Sequence, residues 1–525
     1  MTVLASVGLT RARQPAFRSG NRELLALGLA GFGAVVLALG AALAVPTPRL
    51  LVGAGIAAGI VGLFTLAVSS RHELTLALLA LYLGLADGII KLQINNQLTS
   101  SLRDVLIAAV SLGALVRLVV RREQIRLPPM YGWIVAFVVL VAVEALNPNT
   151  HGMAKVVAGF RQHLEWIPFF FFGYSVLRTK GRLRAFLVLL GVIALMNGIV
   201  STIQTQQTAS QLARWGPGYS ALINGTGGLA DRLYSTATGT HVRPPALGSD
   251  EGFGGYVGVL ALPAALALLA AARSRRRMIL AVVFCVGALL AIATSLQREA
   301  VLGAVAAVVA FAFLSIGAGR SATRPLGALL ALVATAAVFI VVLSSSVNGS
   351  VFSRYASISP GHAAATAYSY RVDTLGQIPS DIATYPFGGG LATVGAAAGF
   401  GGHSSVGLSG ESQYNYVTVE LGLPGLLLWV ALTVTVIGLA VGGVRRIADV
   451  EVRMALAAVF AAVIAFTLMG FGGPTMSSLP FGPFFWCAVG LAAYWFKGNA
   501  EALAPAARVT QRPTPARDAW LARVG

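Results

Sequence analysis

Apolar runs recur along the chain from Leu24 onward, each long enough to cross the roughly 30 Å hydrocarbon core of a bilayer as a helix. They predict fourteen spans: 24–45, 50–68, 74–91, 104–120, 131–147, 164–178, 184–205, 253–272, 278–295, 300–317, 325–344, 416–442, 454–471 and 481–496. Two polar intervals break the rhythm, 206–252 and 345–415. Connections of that length carry function or remain unstructured. In the second interval Tyr368, Val372 and Leu375 recur at helical spacing, so a short amphipathic helix is expected over 363–378, ended by Pro379. Pro386–Gly390 reads as a turn and Gly395–Gly402 as a flexible run.

The pattern predicts an all-α polytopic membrane protein of about 14 transmembrane helices with two long extracytoplasmic loops, the second containing short helices. Its expected segments are an N-terminal cytoplasmic stretch (1–23), an N-terminal transmembrane bundle (24–205) and an extracytoplasmic loop (206–252). Central transmembrane helices (253–344), a large extracytoplasmic loop (345–415) and C-terminal transmembrane helices (416–496) follow. A basic, Pro-containing tail (497–525) reads as disordered and cytoplasmic.

Composition agrees. The chain is 56% hydrophobic and 11% charged, with mean hydropathy +0.78, against about 25% charged residues in soluble domains. Abundant Ala, Gly and Arg fit a GC-rich bacterial genome. The net charge of +19 raises nucleic acid as a partner until its distribution is examined. With the N terminus inside, 27 of the 38 basic residues fall in expected cytoplasmic segments. That bias is topological, so nucleic acid is set aside and both termini are expected in the cytoplasm. No cleavable signal peptide is evident before the first span. Cys285 and Cys487 lie in apolar runs, which argues against a disulfide framework. No phosphate-binding glycine loop or His-based metal pattern is present, so no cofactor and no metal are expected.

Ionisable residues near bilayer depth are costly and point to function by default. Arg298 occupies the tight connection Thr294–Ala300, where it either snorkels, pairs with Glu299, or binds a ligand. Arg371 reads as a solvated partner of Asp373 or as a site residue, and Arg243 as a turn residue before a span or a site residue. Ser412–Gly425 re-enters the membrane; Leu421–Gly425 has the composition of a hinge, and Glu420 needs a partner or a cavity. His403, set among glycines, reads more as a loop residue than as a ligand. Asp87 is the main ionisable residue deep in a span.

In their order along the chain, these segments resemble the bacterial O-antigen ligase and O-antigen polymerase family of membrane glycosyltransferases. Gln297-Arg298-Glu299 is similar to the family's Ser-Arg-Gly turn. Arg371 followed by Pro386-Phe387-Gly388-Gly389-Gly390 is similar to its loop Arg and Pro-x-x-Gly-x-Gly. Ser412 to Gly425, with Tyr414, Asn415, Glu420, Gly422 and Gly425, resembles its His-Asn-x-x-Leu…Glu-x-Gly-x-x-Gly re-entry motif, and Arg243 to Gly255 its Arg…Gly…Phe segment. The motifs cover roughly 240–430. Glu411 stands near the family's usual His and Gln297 replaces its Ser, and fourteen spans exceed the family's usual dozen.

The resemblance implies an inverting, metal-independent glycosyltransferase at the extracytoplasmic face of a bacterial cytoplasmic membrane. Its donor would be a polyprenyl-diphosphate-linked glycan and its acceptor a glycan, lipid or protein, with polysaccharide assembly and export proteins as partners. Arg298, Arg371 and Arg243 would hold the donor diphosphate, and Glu411, or failing that His403, would act as general base. Polymerase is favoured slightly over ligase because the His is displaced. The alternative is a membrane transporter or flippase of lipid-linked oligosaccharide. An assembly scaffold, the third reading, leaves the arginines without a role.

Overall fold

The computed structural model describes residues 59, 61–65, 67–68, 72–95, 97–120, 127–224, 233–236, 239–316, 375–399 and 412–498. The chain packs as two units, Met1–Thr75 with Ala108–Gln124, and Leu76–Ile107 with Ile125–Gly525. In the first, Gly113 lies against Ala67 and the Phe64 carbonyl.

Helix α1 (His72–Ile94) carries a π turn at Tyr82–Ala86, and α2 (Gln97–Val120) follows. Helix α3 (Tyr131–Glu144) is apolar but short, and α4 (Gly152–Leu164) and α5 (Pro168–Val176) come next. The long α6 (Lys180–Thr205) leads to two short helices, α7 (Ala209–Ala213) and α8 (Pro217–Asn224). Strands β1 (Leu233–Thr236) and β2 (Gly239–Val242) form an antiparallel hairpin with Leu233 opposite Val242. Helices α9 (Phe253–Ala270), α10 (Arg275–Thr294) and α11 (Arg298–Ser315) are joined by tight turns. After the short α12 (Ile378–Thr384) come α13 (Gln413–Val444), α14 (Val450–Met469) and α15 (Phe481–Ala492).

Seven helices among the described residues are long and apolar enough to cross a membrane: α1, α6, α9, α10, α11, α13 and α14. The most apolar windows of α9 and α14 are 78% and 83% buried, against 39–44% for α6, α10, α11 and α13. The first pair therefore forms the packed centre and the others keep a face outward. That outward face is apolar: α11 exposes Leu302, Val305, Val309 and Phe313 at helical spacing. Such a stripe is stable only against lipid or another apolar surface, and with seven apolar helices this is a membrane protein.

Several expectations are corrected. Within the 206–252 interval the described residues form α7, α8 and the hairpin, so the described chain is mostly helical rather than purely so. Val242 joins Leu92, Leu212, Tyr219 and Ile223 in a small apolar cluster there. The expected span 164–178 shortens to the nine-residue α5, because α4 ends at Leu164 and Pro168, which lacks the N–H that would continue it, begins α5 instead. The span at 131–147 shrinks to the 14 residues of α3. Leu375 and Gly376 are helical and a turn follows at Gln377, so a helix does end just before Pro379; Pro379 then stands in the first turn of α12, where N–H groups have no intrahelical partner. Gly395–Gly399, expected to be flexible, forms a 3₁₀ turn. The expected spans 24–45 and 325–344, most of 50–68, the helix over 363–374 and most of the 345–415 loop lie outside the described residues.

Candidate functional site

Two irregular segments enter the expected extracytoplasmic end of the bundle, and both have their backbone groups met by buried side chains. Irregular backbone at membrane depth requires that. The first is 243–252. The Gln204 carboxamide donates to the Ala246 carbonyl (2.9 Å) and accepts from the Ala246 N–H (2.8 Å). Asn197 accepts from the Leu247 N–H (3.1 Å) while donating to the Gly84 carbonyl beside the π turn (2.9 Å). Gly88 makes this fit possible, since a Cβ there would lie 2.1 Å from the Gly248 carbonyl carbon.

Arg243 begins this segment. Its side chain is 16% exposed and pairs with Glu251 at 3.3 Å. Gly252 abuts Gln297, the residue before Arg298. The turn between α10 and α11 is held by Ser295, whose Oγ donates to the Ile292 carbonyl (2.7 Å) and accepts from the Gln297 N–H (3.3 Å). Arg298 opens α11 with its side chain exposed and no partner among the described residues. It does not pair with Glu299, which instead accepts from the Tyr256 hydroxyl at 3.4 Å. Arg243 and Arg298 thus flank one contact, Gly252 on Gln297.

The second segment is Pro386–Val394, and it seats on a break in α13. Gly422 has φ 65° and ψ −164°, which interrupts the helix. The Gly389 N–H donates to the Val419 carbonyl (2.7 Å) and the Leu423 N–H to the Pro386 carbonyl (3.0 Å), so the strap replaces bonds the break removes. Glu420, fully buried, accepts from the Thr393 and Val394 N–H groups at 3.0 and 3.2 Å. Its other oxygen lies 2.7 Å from His163 Nε2 and 3.2 Å from Gln162 Nε2. Asn147 Nδ2 donates to Glu144 and to the Gly388 carbonyl, and Lys155, also fully buried, donates to the Ala392 carbonyl at 3.2 Å. Glu420 therefore anchors the strap.

Ser412 caps α13, its Oγ accepting from the Asn415 N–H at 3.0 Å and donating to Asn415 Oδ1. The Asn415 side chain also bonds Asp381, a buried carboxylate on α12 whose Oδ2 has no hydrogen-bond partner among the described residues. Burial raises the Asp381 carboxyl above the usual carboxylate range, partly offset by that bond. Tyr414 donates to the Thr467 carbonyl at 3.0 Å and stacks near Phe471. Gly425 lies against the Leu421 side chain across the break. The Gln413 N–H donates to the Gly470 carbonyl at 2.8 Å, and neighbouring Met469 meets Gly303 of α11. The start of α13 and the Arg298 end of α11 are linked in this way.

Arg371, Glu411 and His403 lie outside the described residues. Glu411 directly precedes Ser412, so the Asp381–Asn415–Ser412 group borders it in sequence. Among the described residues no group of three or more His, Cys, Asp or Glu is arranged to hold a metal. Sequence reasoning missed Asp381, Gln204, Asn197, His163 and Lys155. It also missed an ionic network around Asp87, which pairs with Lys91 at 2.6 Å, while Arg103 bonds Glu165 at 2.6 and 3.0 Å. Lys91, four residues after Asp87 on one helix, was the available signal. Comparison with protein-family models, curated proteins and solved structures finds no match.

Proposed function

We propose that this protein is a glycosyltransferase acting at the extracytoplasmic face of a bacterial cytoplasmic membrane. It polymerises or ligates polyprenyl-diphosphate-linked glycans during cell-surface polysaccharide assembly, with polymerase slightly favoured. One observation carries the reading: Arg298 stands exposed, with no partner among the described residues, beside the anchored strap that begins with Arg243. A guanidinium stays charged, offers two parallel donors to phosphate oxygens and stabilises charge that develops on a leaving diphosphate.

In this reaction an acceptor hydroxyl oxygen attacks the anomeric carbon as the carbon–oxygen bond to the diphosphate breaks. The electron pair leaves on the diphosphate, held by Arg298, Arg243 and Arg371. The hydroxyl proton passes to a base, for which Glu411 and His403 are the first candidates. Asp381 joins them, because it is a buried carboxylate bonded to Asn415 beside Ser412, and burial raises it above the usual carboxylate range. Glu420, already engaged by the strap and His163, serves as a positioning residue.

The test is transfer of glycan from a lipid-diphosphate donor by the purified protein. Arg298→Lys is expected to lower turnover roughly 100- to 1,000-fold, the range for removing one preorganised electrostatic donor, with membrane abundance unchanged. Normal turnover in Arg298→Lys and in Arg243→Lys would remove the diphosphate cradle. The break at Gly422 favours one alternative, a flippase of lipid-linked oligosaccharide, since broken helices mark transport sites. Under that reading, reconstituted vesicles would move the lipid-linked glycan between leaflets and transfer no sugar.

A further inference from the structure

At the opposite end of the bundle, where the helices carry their arginines, α6, α9, α10 and α14 enclose a cavity of about 280 Å³. Leu187, Leu268 and Leu280 form apolar wall, and Lys180, Arg184, Arg277 and Glu451 line it with charge. Two of these four are neutralised internally. Lys180 lies 3.0 Å from Asp449 and 3.2 Å from Glu451, and Glu451 also takes Arg273 at 3.5 Å. Arg184 and Arg277 are exposed and have no side-chain partner among the described residues. Among the described residues the acidic groups within reach are already engaged by other cations, so two guanidiniums face the cavity with no such counter-charge among them.

We infer that this cavity is a binding site for an anionic phospholipid. Its phosphate pairs with Arg184 and Arg277, and the start of its acyl chains lies on Leu187, Leu268 and Leu280. Guanidiniums suit phosphate oxygens bidentately, and basic pockets between transmembrane helices are suited to anionic headgroups. The apolar wall decides between lipid and a free anion, because a soluble phosphate gains nothing from leucine. The volume holds a headgroup and not a whole lipid, and Ile279 and Leu280, 51% and 45% exposed beside it, continue the apolar surface outward. None of this depends on the transferase reading.

The experiment titrates the delipidated full-length protein in detergent with phosphatidylglycerol, phosphatidylcholine and inorganic phosphate, reading bound lipid by native mass spectrometry. Phosphatidylglycerol is expected to bind, and phosphatidylcholine and phosphate to bind far more weakly. The double variant Arg184→Gln/Arg277→Gln is expected to weaken phosphatidylglycerol by roughly 10- to 30-fold, while Arg276→Gln, outside the cavity, leaves it unchanged. Equal binding of phosphatidylcholine, or of inorganic phosphate, by the unmodified protein overturns the proposal whatever the variants do. So does a folded double variant that keeps full affinity.

Discussion

Glu420 was legible as a carboxylate too early in a span to stand alone, but its partners were not. His163 lies 257 residues away, and the Thr393 and Val394 N–H groups belong to a loop with no helical pattern. Sequence periodicity reports which face is apolar, and it carries no information on which distant donor a buried acceptor meets. Removing the carboxylate leaves those donors buried and unpaired. Glu420→Ala is therefore expected to cost about 3–5 kcal/mol, read as a lower unfolding temperature in detergent, with Glu420→Gln in between; a wild-type midpoint in Glu420→Ala would mean the strap is held elsewhere. Asp381 adds a pH dependence. Burial raises its folded-state pKa, so its favourable contribution is full below the unfolded value and is lost as pH rises through the folded one. Asp381→Asn should gain thermal stability relative to wild type as pH climbs from about 4 upward, and a pH-independent difference would show that the carboxyl titrates normally.

Among the elements, the long helices were readable because an apolar run of bilayer length has few alternatives. Their interruptions were less so. Pro168 and Pro379 each stand in the first turn of a helix, yet a proline alone does not say whether the chain stops before it or starts around it. The turn at Pro386–Gly390 and the hinge at Leu421–Gly425 were both visible, but their mutual contact was not, since it rests on backbone bonds such as Gly389 N–H to the Val419 carbonyl. That contact makes Gly422 irreplaceable. Its backbone favours glycine, and an added Cβ would sit 2.4 Å from the Gly388 nitrogen. Gly422→Ala is expected to cost at least about 1–3 kcal/mol in backbone strain alone and to reduce folded protein by size-exclusion profile. Gln204→Ala tests the other strap. It orphans the Ala246 N–H and carbonyl, at about 1–3 kcal/mol for each, and should raise protease cleavage within 243–252; unchanged cleavage would show that Asn197 suffices to anchor it.

For the whole molecule, the two ends of the bundle carry different chemistry, and α10 connects them. One end presents Arg298 and the two straps, and the other presents Arg184, Arg277 and the cavity between α6, α9, α10 and α14. Helix α10 has 20 residues, about 30 Å of rise, which matches one membrane crossing. The basic-residue bias expects its Arg275–Arg277 start in the cytoplasm, and Arg298, just past its far end, must then face outward. Single-cysteine labelling decides this cleanly because both native cysteines, Cys285 and Cys487, are buried and free. An impermeant maleimide applied to right-side-out vesicles is expected to modify Arg298→Cys directly and Arg276→Cys only after permeabilisation. Reversed labelling would put Arg298 beside cytoplasmic nucleotide-sugar chemistry and away from an exported lipid-linked donor. Labelling of both from one side would mean that α10 does not cross, and the separation of the proposed diphosphate cradle from the proposed anionic-lipid site would lose its physical basis.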